Sequence, residues 1–159
     1  MHKQLESYPI NLKKLLYDTI YNTIMKNIVI DTNVLLSALY SNRGASYKLL
    51  SMIDSGKFSV NISNTLIYEY EEILKLKSEL EVKHIDSILN YICAVGKKNK
   101  IFYLWRPKLK DSDDDFLLEL AVASNSIIVT LNAKDFKPAS EFNIKVMTPK
   151  EFLHYIGEI

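Results

Sequence analysis

Carboxylates stand at four places where an α/β chain would bring them together. Asp31 closes the apolar run Ile28-Val29-Ile30, and Glu69 lies early in the helical segment after the run Phe58 to Ile62. The stretch Asp111-Ser112-Asp113-Asp114-Asp115 sits before another helical segment, and Asn132 and Asp135 follow Ile127-Ile128-Val129. In open parallel sheets ligands bind beyond the carboxyl ends of the strands, so polar residues directly after strand-like runs carry the most information. Converging carboxylates repel one another, and a divalent cation removes the repulsion. Mg²⁺ or Mn²⁺ suits an oxygen-only ligand set. Such a cation can lower the pKa of a bound water, orient a phosphodiester and stabilise its leaving oxygen, which together amount to hydrolysis.

Each acid also has a plainer use. Asp31 would serve as a helix N-cap after its strand. Glu69 lies three residues after Leu66 and four before Ile73, near an apolar stripe, whereas Glu71 and Glu72 have less claim to point inward. Negative charge in the 111–115 stretch would cap a helix and favour its N-terminus. Asp114 is three residues before Leu117 and seven before Ala121, so it shares a face with residues that pack. A carboxylate there costs stability unless something positive meets it.

Other chemistries have little support. His2, His84 and His154 lack paired metal-ligand spacing, which argues against zinc. The single Cys93 follows Ile88, Leu89 and Ile92 and reads as a buried small hydrophobe. The net charge is +1, so any nucleic-acid binding must come from a local patch. Lys97, Lys98, Lys100, Arg106, Lys108 and Lys110 form such a patch, which reads equally well as a solvated loop. Trp105 and the ten tyrosines could stack on bases, though most suit packing. No apolar run approaches the ~20 residues of a membrane span, and no signal-peptide pattern opens the chain, so a soluble cytoplasmic protein is expected.

The elements must hold these residues in place. A chain of 159 residues, 48% apolar and 25% charged, fits one globular domain with a real core. Residues 9–24 read as an amphipathic helix with Asn11 as N-cap, and residues 1–24 as an N-terminal helical extension to a domain at 25–159. Strands are expected at 28–30, 58–62, 100–105, 126–130 and 143–147. Helices are expected at 34–40, at 44–55 closed by Gly56, from Ser63 or Asn64 through Leu74, at 81–95, from Ser112 or Asp113 to Ala123, and around 149–155. Alternation of this kind implies an α/β fold in three layers, a mainly parallel central sheet of four to five strands with helices on both faces.

From Met25 to about Phe152 the chain resembles the PIN-domain nucleases, and among them the toxin components of bacterial toxin–antitoxin pairs. The residues that carry the resemblance are Val29 to Leu39, Ser63 to Glu69, Asp111 to Ala121, Ile128 to Phe136 and Thr148 to Phe152, in that order and spacing. The resemblance implies Asp31, Glu69 and Asp114 as metal ligands and catalytic residues, with Asp113 and Asp115 as alternatives to Asp114. A fourth acid of the family falls on Asn132 here, a departure that leaves Asp135 as its substitute. Thr32, Asn33, Ser63, Thr130 and Asn132 match the polar residues around the family's site, where they would orient water or ligands. The resemblance further implies a metal-dependent endoribonuclease using Mg²⁺ or Mn²⁺, an RNA substrate, a homodimer and inhibition by a small antitoxin.

Two other functions compete. The departure at Asn132 permits a catalytically impaired RNA-binding or regulatory module. An Asp at the end of strand one also occurs in Mg²⁺-dependent phosphatase or phospho-acceptor domains, where Lys134 would be the partner. That reading leaves Glu69 and the 111–115 stretch without a role.

Overall fold

The computed structural model describes residues 8–101 and 115–159. In chain order the elements are α1 (Ile10–Ile24), β1 (Lys26–Ile30), α2 (Thr32–Tyr40), α3 (Ala45–Ser51), β2 (Phe58–Ile62), α4 (Asn64–Lys77), α5 (Val82–Val95) and β3 (Lys97–Lys98). After the gap come α6 (Asp115–Ser124), β4 (Ile127–Val129), a 3-10 segment (Ala133–Phe142), β5 (Val146–Met147) and α7 (Pro149–Tyr155). The strands form one parallel sheet in the order β3-β2-β1-β4-β5. The expected three-layer α/β fold is therefore present.

The β-branched run at Ile28-Val29-Ile30 makes β1 the central strand because it can be buried on both faces. Ile28 pairs with Val60 on one side and Ile127 on the other, and Val29 pairs with Ile128. The chain leaves β1 towards β2 and β3, then returns to the far side of β1 for β4 and β5. The strand order thus reverses between β1 and β4, and the crevice beyond their carboxyl ends is where a ligand site belongs. Helix α6 packs over β1, β2 and β4, and its residues Leu117, Leu118, Leu120 and Ala121 are buried.

Several boundaries differ from the sequence reading. The third strand of the described residues is Lys97–Lys98, ahead of the expected start at Lys100, because Gly96 ends α5 and the chain pairs at once with Asn61 and Ile62. A Cβ at Gly96 would come 2.8 Å from the Ile92 carbonyl, so only glycine makes this close turn without displacement. The Asn99 side chain then donates to Asn61 Oδ1 (3.1 Å) and to the Lys97 carbonyl (3.0 Å), which ends the pairing. The remainder of the expected strand, 102–105, lies outside the described residues, as does the expected cap at Ser112 or Asp113.

Helix α1 starts at Ile10 and not after an Asn11 cap, since the Lys13 N–H reaches the Pro9 carbonyl (2.8 Å). Ile10, Leu15 and Tyr17 on this helix are exposed. Helix α3 is shorter than 44–55 because Met52 and Ile53 donate to the carbonyls of Leu49 and Leu50, tightening its end, and Gly56 turns the chain at φ 79°. The fifth strand begins three residues later than expected, after a left-handed Asn143 (φ 58°) that closes the unforeseen 3-10 segment. Cys93 is half-buried, not buried, at the edge of the core. Helix α7 matches its expected span, with Pro149 at its start and a reciprocal Thr148–Glu151 capping box.

Candidate active site

The crevice at the reversal point is built from the ends of β1 and β4. Asp31 directly follows β1, and its N–H donates to the Val129 carbonyl (2.9 Å), so the ladder between the two strands carries on into the site. Its side chain is 7% exposed. Asp31 occupies the N-cap position of α2, yet its carboxylate makes no capping bond. It accepts instead from Thr130 Oγ1 at 2.7 Å, across the sheet.

Thr130 is the hub of the polar network. Besides donating to Asp31, its hydroxyl accepts from Asn33 Nδ2 (3.3 Å) and from the Asn132 N–H (3.0 Å). Asn33 Oδ1 in turn accepts from the Leu131 N–H (3.2 Å), which ties the start of α2 to the loop after β4. A single hydroxyl that donates once and accepts twice has its orientation set, so the Asp31 carboxylate is held in one place.

The second acid comes from α4. Ser63 Oγ accepts from the Leu66 N–H (3.2 Å) and caps this helix. Six residues later, Glu69 is half-buried, and Thr32 Oγ1 donates to its Oε2. Thr32 and Asp31 are adjacent in the chain, so Glu69 is tethered to the residue beside Asp31. Of the expected polar residues, Thr32, Asn33 and Thr130 make contacts inside this cluster. Ser63 positions Glu69 through the helix it starts. Asn132 is exposed and contributes its backbone N–H.

Tyr70 belongs to the buried apolar stripe of α4 and is 1% exposed. Its hydroxyl also donates to the carbonyl of Ile30, the residue before Asp31. Burial first, then the charges of Asp31 and Glu69, push its phenol well above the usual tyrosine value. It therefore stays a proton donor to the backbone and braces the end of β1. A tyrosine placed next to an inward glutamate was the available signal.

Burial also pushes the Asp31 carboxyl up from its ordinary range, and the charge of Asp135 adds to the rise. The Thr130 hydroxyl and the amides of Thr32 and Asn33 oppose it. Asp135, in the first turn of the 3-10 segment, thus lies close enough for Asp31 to feel its charge. Asp114 lies outside the described residues. Two further carboxylates, Asp115 (1% exposed) and Glu119 (2%), are buried one turn apart on α6. Glu119 went unnoticed in the sequence, although an acid four residues after Asp115 in an otherwise apolar helix was a visible signal.

Among the described residues no group of three acidic, His or Cys side chains is close enough to hold a metal by itself. The chemistry of the donors present nonetheless fits a hard cation: Asp31, Glu69 and Asp135 offer oxygen only, and no Lys or Arg among the described residues pairs with Asp31. The cost of the buried Asp31 charge has a thermodynamic sign. Its folded pKa lies above the unfolded one, so its stabilising contribution is complete below the unfolded value and is lost as pH rises through the folded value. In EDTA, Asp31→Asn is accordingly expected to be more stable than wild type at pH 7 to 8, by about 1 kcal/mol. The gap should close on acidification as Asp31 protonates. Urea titrations at several pH values would show it, and an asparagine variant that is less stable at pH 8 would contradict it.

A family profile described as PIN domain matches residues 27–134. The uncharacterised protein MJ1680 of Methanocaldococcus jannaschii is 28% identical over 141 residues, covering 79% of this chain and 88% of that one. Two solved structures share the fold. VapBC2 from Rickettsia felis, bound to a DNA fragment from its promoter, superposes with a TM-score of 0.56 at 16% identity, over 76% of this chain and 96% of that one. PAE2754 from Pyrobaculum aerophilum gives 0.55 at 12% identity, over 86% and 92%.

Proposed function

The chain belongs to the PIN-domain family of nucleases, and from that premise we propose that it is a metal-dependent endoribonuclease acting in the cytoplasm as the toxin of a type II toxin–antitoxin pair. The observation that carries the catalytic part is the buried, otherwise costly Asp31 carboxylate at the strand-order reversal, with Glu69 tethered to its neighbour Thr32 and Asp135 within electrostatic reach. A carboxylate is kept in such a place when a cation compensates it.

Asp31 and Glu69, with Asp114 from the stretch before α6, would hold Mg²⁺ or Mn²⁺, and Asp135 would take the part of the acid replaced by Asn132. When bound, the ion would supply an activated water and a counter-charge for the leaving oxygen. The chain's own residues do the positioning. Thr130 fixes the Asp31 carboxylate, Thr32 fixes Glu69, and Asn33 locks the loop after β4 onto α2. Lys97, Lys98 and Lys100 are exposed beyond β2 and would meet the RNA backbone.

The partner part rests on the likeness in fold to VapBC2 and on one surface feature. An apolar groove of about 240 Å³ runs between α2, α3 and α5, lined by Leu35, Leu39, Leu50 and Ile88, with Tyr47 and Tyr91 exposed at its rim. It suits an apolar segment of a small antitoxin. The proposed working form is a homodimer. No helix among the described residues is long and apolar enough to cross a membrane.

Cleavage of a mixed RNA pool in Mg²⁺, Mn²⁺ or EDTA, with wild type beside Asp31→Asn and Asp114→Asn, tests the reading. Cleavage that needs metal and both carboxylates supports it. RNA binding without cleavage in either metal would favour the impaired module that the amide at Asn132 permits.

A further inference from the structure

At the end of the sheet opposite Asp31, the starts of β1, β4 and β5 open onto a polar cleft of about 310 Å³. Along β1 this cleft is about 16 Å from Asp31, at ~3.3 Å per residue. Its lining includes Lys26, Asn27, Asn125, Asn143, Lys145 and Tyr155 and, among the described residues, no carboxylate. Lys26 Nζ stands 5.6 Å and Lys145 Nζ 5.2 Å from the centre of the Tyr155 ring, so two cations converge on one aromatic. Among the described residues neither lysine has a carboxylate partner. Glu158, the acid on the adjoining rim, is taken by Lys57.

Two cations beside one ring, with no carboxylate partner among the described residues, make a locally positive field that an anion would offset. The neutral groups around them point the same way. Asn125 (φ 49°) and Asn143 (φ 58°) both occupy the left-handed region at the turns into β4 and β5. Asparagine adopts this conformation more readily than other residues with a side chain, and here both side chains bring an amide to the cleft's lining. The positive field is felt at Tyr155, whose phenol is lowered from its usual value by Lys26 first and then by the charge of Lys145.

We infer that this cleft is a binding site for a phosphate ester, held between Lys26 and Lys145 with the Asn125 and Asn143 amides as neutral donors. The ester is either a free mononucleotide or a phosphate of an RNA chain, and the site is independent of the nuclease reading.

The test is calorimetric titration of the full chain in EDTA with inorganic phosphate and adenosine 5′-monophosphate. Wild type and Asp31→Asn should bind alike, and Lys26→Gln/Lys145→Gln should bind about tenfold more weakly or worse. Asn125→Asp keeps the backbone preference and places a negative charge in the cleft, so it should also lose binding. This second variant covers the case in which the double variant folds poorly. RNA oligonucleotide affinity, measured on the Asp31→Asn background, separates the two sources. A matching loss on adding the lysine substitutions identifies an RNA phosphate, and unchanged RNA affinity with lost mononucleotide binding identifies a free ester. No saturable phosphate binding by wild type, or equal affinity in all variants, would overturn the inference.

Discussion

Asp31→Asn is expected to reduce metal-dependent RNA cleavage by roughly 10³-fold, the upper end of what one preorganised electrostatic group contributes. The substitution keeps shape and removes charge. Asparagine can still accept from Thr130 Oγ1, and the backbone bond from residue 31 to Val129 is unaffected, so the fold around the site should persist. What disappears is the negative charge at the reversal point, the reason a cation would reside there. The same variant is expected to be the more stable protein in EDTA, so loss of activity with a raised unfolding midpoint separates a catalytic defect from a folding one. Thr130→Val, which keeps the charge but frees its orientation, should cost about 10- to 100-fold. Single-turnover cleavage at saturating Mn²⁺ measures both. Activity of Asp31→Asn within threefold of wild type would remove Asp31 from the catalytic centre.

Phe152→Ala is expected to have the largest effect on stability, about 3–5 kcal/mol. The Phe152 ring is fully buried and meets Phe58 edge to face, with centroids 5.4 Å apart at 86°. This contact, with the capping box at Thr148, holds α7 against the start of β2. Deleting the ring leaves a cavity that the surrounding β-branched strands cannot close. For a domain of this size the unfolding midpoint should fall by about 10 °C. Phe58 begins β2, at the end of the sheet remote from Asp31, so cleavage per folded molecule should survive at low temperature. Activity that drops well below the folded fraction measured by circular dichroism would show that the two ends of the sheet are coupled after all.

Much of this was legible in the order of residues. The run Ile28-Val29-Ile30 has no polar side to show to water, which makes it an interior strand, and an acid at its end must then lie at the sheet's carboxyl edge. Pro149 behind Thr148 and ahead of Glu151 specifies a helix start from three side chains, and α7 has the expected ends. These features depend on neighbours within a few residues, and local chemistry decides them. The resemblance of Asp31, Glu69 and the 111–121 stretch to a nuclease pattern was likewise a matter of order and spacing, and it matches the family the chain belongs to.

Tertiary structure decided the rest, because it depended on residues far apart in the chain. That Thr130 holds Asp31, ninety-nine positions away, follows from β4 lying beside β1, which no local pattern specifies. Tyr70 looked like any buried aromatic until its hydroxyl met the Ile30 carbonyl. Lys26, Lys145 and Tyr155 had no pattern in common, and only the parallel sheet brings the starts of β1 and β5 and the end of α7 to one cleft. The pairing of Lys97 and Lys98 with β2 had no counterpart in the sequence, because a two-residue strand leaves no periodic signal. Sequence by itself settled which segments are strands and helices wherever burial gave them a period. Which polar groups meet was settled by sheet order, since hydrogen bonds and charge act through space over a few ångströms and take no account of separation along the chain.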